Sequence, residues 1–384
     1  MKVLIIARGY PSEKYRMNGI FEFDQAKALV KSGVDVIYAA VDVRSIRRWR
    51  KWGIEIKTIE GVKIYIFNIP LGRIPKPILR GISKIGLVYL YKRIIKEQGK
   101  PDVMHAHFLG VGYIASIIKK KYNIPFVLTE HWSDLMKPTL KKGVFKVAQT
   151  AYSLADKIIA VSKGLKGVIA EKFHKEAIYI PNIVDKSLFT YVHKTDENSF
   201  LFVSTGGLIY RKRMDLTIEA FIEAFRNNDK VSLTIFGEGS ERQKLLEIIK
   251  ANAMERRIKL MGLQSRKVIS EYLKKSDCFV LASQAETFGV VYIEAMASGL
   301  PVIATKCGGP ESFVNEENGI IVPVDNKEAL IEAMKYMYVN ATKYNKENIS
   351  NKTKEMFSDS EVARQLVELY KEAISKYEKK EGEI

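Results

Sequence analysis

From the second residue onward, short apolar runs of strand length alternate with segments of helical periodicity. That alternation restricts the chain to parallel sheets with helices on both faces. Residues 2–7 read as the first strand, and Asn18-Gly19 opens a helix over about 20–31 that stops at Ser32-Gly33. Further strands are predicted over 34–40, 62–67, 102–105, 125–128 and 157–161, with Ser162 capping the helix that follows the last of them. The polar stretch 186–199 then lacks any apolar period. At 200 the alternation restarts, with strands over 200–205, 231–236, 258–261, 278–282 and 319–322, before helices over 328–339 and about 360–379. A length of 384 residues is too great for one ordinary core. Two domains are therefore expected, over 1–190 and 199–359, with 360–384 as a closing helical segment.

The formal net charge of +18 calls for an anionic partner: nucleic acid, a phosphate-bearing small molecule or an acidic membrane face. Cations interleave with tryptophan over 44–52, and a basic, apolar segment runs over 73–100. Such a pattern suits a segment lying on an anionic membrane with its indoles at headgroup level, or a solvated basic face with two partly buried tryptophans. No nucleic-acid module accompanies the charge, so no nucleic-acid partner is expected. Apolar runs of about eighteen residues are missing and the N-terminal apolar run is too short for a secretory signal, so nothing is expected to cross a bilayer. Cys278 and Cys307 lie beside apolar residues without metal-ligand spacing and read as reduced core thiols of a cytoplasmic protein.

Chemistry-bearing residues gather where strands end, as they do in open α/β sheets. Gly19, just beyond the first strand, would let backbone amides approach an anion at a helix start, or would simply form a turn. His105 and His107 end one strand and His131 follows the next, facing a ligand; a metal site is the lesser reading because the spacing fits no familiar ligand set. Thr205-Gly206-Gly207 with Arg211-Lys212-Arg213 offers close backbone approach and cations for a diphosphate. Gly237-Glu238-Gly239 begins like a dinucleotide fingerprint, but Arg242 stands where its third glycine belongs, which weighs against a nicotinamide enzyme. Glu286 and Glu294, eight residues apart, would lie about 12 Å apart on one face of a continuous helix. That is too far to flank one glycosidic bond as a hydrolase pair does, so they read as two grips on different parts of one ligand. The Thr287-Phe288-Gly289 amides would then face phosphate between them.

These residues resemble the family 4 retaining glycosyltransferases. The likeness covers nearly the whole chain and is most specific over Glu286 to Glu294, an E-x7-E motif continued by Ala295-Met296-Ala297-Ser298-Gly299-Leu300-Pro301 and, further on, Gly308-Gly309-Pro310-Glu311. It implies the GT-B fold, two Rossmann-like doubly wound domains facing a cleft, with the last helix packed on the first domain. It also implies roles. Glu294 would hold the donor ribose and Glu286 a sugar hydroxyl, with Phe288 and Gly289 amides at sugar and phosphate; Lys212 would stabilise the leaving diphosphate and Leu263 would lie near the base. Gly19 would lie at the diphosphate and His107 on the acceptor side. Such enzymes retain the anomeric configuration and need no bound metal.

Two positions depart from the pattern. Gly207 replaces an arginine, whose charge Arg211 or Arg213 would have to supply, and Ile183 replaces a glycine. The resulting expectation is transfer of a sugar from a UDP- or GDP-linked donor to a glycan or lipid-linked acceptor, by a cytoplasmic enzyme that is peripheral on the inner face of the membrane if the basic segment touches lipid. A catalytically silent nucleotide-sugar or glycan binder of the same fold is the rival; a hydrolase or phosphorylase is a third reading, which requires activity without any nucleotide.

Overall fold

The computed structural model describes residues 1–12, 18–45, 52–71, 74–194 and 199–381. Most of the basic segment over 44–52 and the start of that over 73–100 lie outside them. The chain divides into two compact units, Met1–Ile183 with Asp359–Ile384, and Val184–Ser358. The division falls just ahead of the polar stretch over 186–199. Within that stretch Phe189 is fully buried, and Asp185 Oδ1 accepts the amides of Ser187 and Leu188 in a turn.

In unit 1 the chain runs β1 (Lys2–Ala7), α1 (Ile20–Lys31), β2 (Asp35–Ser45), β3 (Gly53–Ile59), β4 (Val62–Leu71), α2 (Lys76–Gln98), β5 (Val103–His107), α3 (Leu109–Tyr122), β6 (Phe126–Glu130), α4 (Lys142–Leu154), β7 (Lys157–Ala160), α5 (Lys163–Phe173) and β8 (Ile178–Tyr179). Its sheet has the order β3-β4-β2-β1-β5-β6-β7-β8, parallel except for the hairpin of β3 with β4. That hairpin closes on Glu60-Gly61, both at positive φ (49° and 79°), as two-residue hairpin loops require. β2 and β4 continue beyond the apolar runs that predict them because they pair through Asp42↔Asn68 to Ser45↔Leu71. Cross-strand pairing carries polar residues into a strand that composition alone would end.

Unit 2 runs β9 (Phe200–Thr205), α6 (Met214–Phe225), β10 (Val231–Phe236), α7 (Arg242–Ala251), β11 (Ile258–Leu260), α8 (Arg266–Lys275), β12 (Cys278–Leu281), α9 (Val290–Ala297), β13 (Val302–Thr305), β14 (Gly319–Val322), α10 (Lys327–Asn340) and α11 (Lys346–Met356). All six strands are parallel, in the order β11-β10-β9-β12-β13-β14. Cys278 and Cys307 are free and buried, and burial pushes the Cys307 thiol up to about 12, which keeps it unreactive.

The last helix, α12 (Asp359–Glu381), belongs to unit 1. Its apolar stripe, Val362, Leu366, Leu369, Tyr370 and Ala373, enters the same core as Val3 and Ile5 of β1 and Tyr38 of β2. Tyr370 then reaches the strand ends. Its hydroxyl lies 2.6 Å from Nδ1 of His105.

Candidate active site

In unit 2 the loops after β9, β10 and β11 pack backbone to backbone. The Gly206 amide donates to Phe236 O, Leu208 N to Glu238 O and Gly237 N to Gly262 O, each at 2.9 Å. Gly237, at φ 144°, sits so close that a Cβ would meet Gly206 O at 1.8 Å. Glycine is thus required at 237 by contact with the β9 loop and not by a dinucleotide fingerprint. The β9 loop leads through Arg211 into a short 3-10 turn, Tyr210–Lys212, whose last residue points its ammonium at the Glu286 carboxylate. Ser283 Oγ donates to the same carboxylate oxygen at 2.7 Å. Leu263, in the loop after β11, is 74% exposed.

Glu286 and Glu294 do not share a helix. α9 begins only at Val290, with Gly289 as its cap at φ 88°, ψ 65°, so Glu286 lies in the loop before it and Glu294 in its second turn. The 12 Å spacing expected for one continuous helix therefore does not apply. The cause is local: a left-handed residue cannot continue a right-handed helix, and Gly289 supplies that break. Glu294, 6% exposed, is held by the Arg266 guanidinium, with Nε 3.0 Å from Oε1, and that guanidinium in turn lies over the Phe189 ring at 5.3 Å. Each glutamate of the motif is thus paired with one cation, Lys212 or Arg266.

The loop between the glutamates is packed from behind. Phe288 is buried against Phe313 and Phe357, while Thr287 is partly exposed. Gly309 lies flush on the Phe288 peptide, where a Cβ would come within 2.6 Å of Phe288 O. The Gly308 amide donates to both oxygens of Glu311 at 2.9 Å. Of the two arginines expected to supply the missing charge, Arg213 is committed to Asp215 and Asp325. The Arg211 carbonyl accepts the Gln284 amide at 2.8 Å, tying the β9 loop to the Glu286 loop.

In unit 1 the polar residues gather at the ends of β1, β5 and β6. Gly19, at φ 71°, caps α1 and is pressed on Gly9, whose carbonyl a Cβ would meet at 2.1 Å; the Tyr38 hydroxyl donates to that carbonyl at 2.6 Å. His107 Nδ1 lies 3.1 Å from His131 Nε2, and the two rings stack at 5.4 Å. Burial, reinforced by the neighbouring histidines and Arg8, holds both rings well below the ordinary histidine range, so the pair is neutral and one ring donates to the other. Nε2 of His107 is buried and has no hydrogen-bond partner among the described residues. That nitrogen has capacity to spare.

His105 is placed differently from its two neighbours in sequence. Its ring nitrogens are taken by Tyr370 and by Thr129 Oγ1, both at 2.6 Å, and burial lowers its pKa to about 3. It joins α12 to the sheet: strand alternation puts it on the same face as His107, with the rings 4.3 Å apart, but both of its nitrogens are already engaged.

Three further residues shape this region without any signal in the sequence that singles them out. Arg8 lays its guanidinium on the Phe108 ring at 3.4 Å and bonds the buried Glu22 at 3.1 Å. Phe108, at φ 66°, holds a strained non-glycine conformation directly after His107 and packs on His131 at 4.7 Å. Glu130 accepts the amides of His131 and Trp132 and the Tyr152 hydroxyl at 2.8–2.9 Å, fixing the turn that carries His131; burial lifts its carboxyl to about 7. Among the described residues no group of three His, Cys, Asp or Glu is arranged to hold a metal ion.

Two family models divide the chain between them: "Glycosyltransferase Family 4" matches residues 23–188 and "Glycosyl transferases group 1" residues 185–368. The chain is 33% identical over 279 residues, 70% of its length and 74% of the relative's, to the uncharacterized glycosyltransferase MJ1178 of Methanocaldococcus jannaschii. Among solved structures it superposes on a sucrose-phosphate synthase of Thermosynechococcus elongatus with a TM-score of 0.80 (18% identity; 98% and 99% of the two chains covered). It superposes on Anabaena HepE in complex with UDP-glucose with a TM-score of 0.74 (18% identity; 97% and 100% covered).

Proposed function

The chain belongs to the family 4, group 1 glycosyltransferases of the GT-B fold, and from that premise we propose that it moves a sugar from a nucleotide-diphosphate sugar to a hydroxyl of a glycan or lipid-linked acceptor, with retention at the anomeric carbon. One observation carries the reading: in unit 2 a Gly289-capped helix start stands between two buried carboxylates, each held by its own cation. That arrangement suits a ligand with hydroxyls at both ends and phosphate between. Glu294 takes the ribose hydroxyls, Glu286 a sugar hydroxyl, and the exposed Leu263 the base. A UDP-linked donor is favoured over a GDP-linked one because the fold is shared with a protein seen with UDP-glucose.

In the reaction the bond from the anomeric carbon to the β-phosphate oxygen breaks, and a bond to the acceptor oxygen forms on the same face. The hydroxyl proton passes to the departing phosphate. Lys212, released from Glu286 as the sugar hydroxyl takes its place, neutralises the charge on the nucleoside diphosphate with Arg211, so no resident metal is called for. On the acceptor side His107, neutral and with Nε2 unpartnered, orients a sugar hydroxyl. We place the enzyme at the cytoplasmic face of an anionic membrane as a peripheral protein.

A panel of nucleotide sugars tests this by thermal shift and by nucleotide release. A bound donor at a hundred times its Kd stabilises by about 2.7 kcal/mol. Lys212→Ala should lower kcat by about a hundredfold or more while the protein stays folded, and chelator should leave turnover unchanged. Binding without nucleotide release from the wild type would favour the silent binder. Release unchanged in Lys212→Ala would remove the leaving-group assignment.

A further inference from the structure

α2 carries two apolar stripes, and the sheet needs only one of them. Leu87, Leu90, Tyr91 and Ile94 are 0–1% exposed and face the core of unit 1. On the opposite side Ile78, Ile82, Ile85 and Tyr89 recur at steps of four, three and four residues, within a band about 60° wide on a helix. Three of these outward residues are exposed, Ile78 53%, Ile85 73% and Tyr89 57%, and Ile82 between them is half-buried. The stripe extends sideways onto the β3-β4 hairpin, because Tyr89 lies 5.7 Å from Phe67, which lies 6.5 Å from Trp52, itself 61% exposed. Single exposed apolar residues need no explanation. A contiguous aliphatic and aromatic patch does.

Charge decides what covers it. α2 carries Lys76, Arg80, Lys84, Lys92, Arg93 and Lys96 against one acid, Glu97, which is bonded to Arg93 at 2.8 Å. Lys92 and Lys96 are exposed and continue the same angular band as the apolar stripe, one to two turns beyond Tyr89. On its flank Lys84 lies over the Tyr113 ring at 3.9 Å. A second copy of this chain docking by the same face would bring its Lys92 and Lys96 against this pair, which opposes association. An anionic surface has the complementary charge, and only a lipid one also accepts the aliphatic stripe. Among the described residues no helix is long and apolar enough to cross a membrane, so the helix would lie in the plane.

We propose that this outer face of α2, with Trp52 and Phe67 beside it, docks unit 1 on a bilayer containing anionic phospholipid. Ile78, Ile85 and Tyr89 enter the headgroup boundary while Lys92 and Lys96 meet phosphates. The inference deepens the membrane placement given above. Its test uses no donor, so its failure leaves the transfer reaction standing, and loss of transfer leaves the docking face standing.

The test is flotation of the full chain with vesicles of phosphatidylglycerol and phosphatidylcholine in equal parts, beside vesicles of phosphatidylcholine alone. The wild type should float with the first and not the second. Ile85→Asp with Tyr89→Asp should reduce binding by at least about tenfold with an unchanged melting temperature, since both side chains are exposed. Lys92→Glu with Lys96→Glu should abolish the preference for the anionic vesicles. The proposal is overturned if the wild type stays at the bottom of the gradient, or if either double variant floats as the wild type does. It also falls if sedimentation shows a wild-type dimer that Ile85→Asp with Tyr89→Asp dissociates without any change in flotation.

Discussion

Replacing Glu130 by glutamine should steepen the acid loss of stability in unit 1 by an amount the structure sets. Burial at the end of β6 lifts this carboxyl from 4.5 to about 7, against the pull of the Leu109, His131 and Trp132 amides and the Tyr152 hydroxyl. The folded state therefore holds an extra proton between those values, and the associated stability is complete below 4.5 and lost as pH rises through 7. His105 works in the opposite direction. Burial lowers it from 6.5 to about 3, so its contribution is complete above 6.5 and lost as pH falls toward 3. Going from pH 8 to pH 5, Glu130 contributes a gain of about 2.5 kcal/mol and His105 a loss of about 2 kcal/mol, which nearly cancel. His107 and His131, also lowered, add losses of the same sign as His105. Glutamine cannot take up the proton. Glu130→Gln should thus lose about 2.5 kcal/mol more than the wild type over that range. Urea denaturation followed by tryptophan fluorescence at the two pH values measures this in unit 1, because Trp49, Trp52 and Trp132 all fall within Met1–Ile183. Stability profiles that run parallel in the two proteins would refute the burial account of Glu130.

Tyr370→Phe should cost about 1–3 kcal/mol of unit 1 stability, because it leaves Nδ1 of His105 buried without its 2.6 Å partner; a lowered urea midpoint at unchanged m-value checks it. Gly309→Ala should raise the donor KM by about tenfold or more and cost about 1–3 kcal/mol of unit 2 stability, read by kinetics and by urea denaturation. At φ −92° alanine is unstrained there, but its Cβ would press on the Phe288 peptide at 2.6 Å and shift the loop that carries Glu286.

The parallel α/β character of both units was legible because fully buried strands are continuous apolar runs, and a helix such as α1 carries its own start at Gly19 and its own stop at Ser32. The same holds for the glutamate stretch of unit 2. Glu286, Gly289, Glu294 and Gly309 lie within one short stretch, so a single segment displays the whole pattern. β3 was missed since its alternation is weak and its burial partial, and its place is fixed by the Glu60-Gly61 turn and by pairing with β4. The spacing of the glutamates was misjudged for a related reason: residue counts assume one conformation, and Gly289 changes it.

The histidine region shows where sequence reading stops. His105 and His107 look equivalent on one strand, yet which of them keeps a nitrogen available is decided by Tyr370, some 265 positions away, and by Thr129 on the neighbouring strand. Likewise the neutrality of His107 depends on burial and on Arg8, whose position over Phe108 is set by Glu22 on α1. None of these residues has a local signature, since arginine, phenylalanine and glutamate occur at strand ends for many reasons. What makes them a set is that β1, β5 and β6 are adjacent in the sheet, an order produced by crossover connections. The glutamate and glycine pattern written along one segment can therefore be read from its sequence, whereas the histidine cluster assembled across three strand ends becomes legible only once the strand order is known.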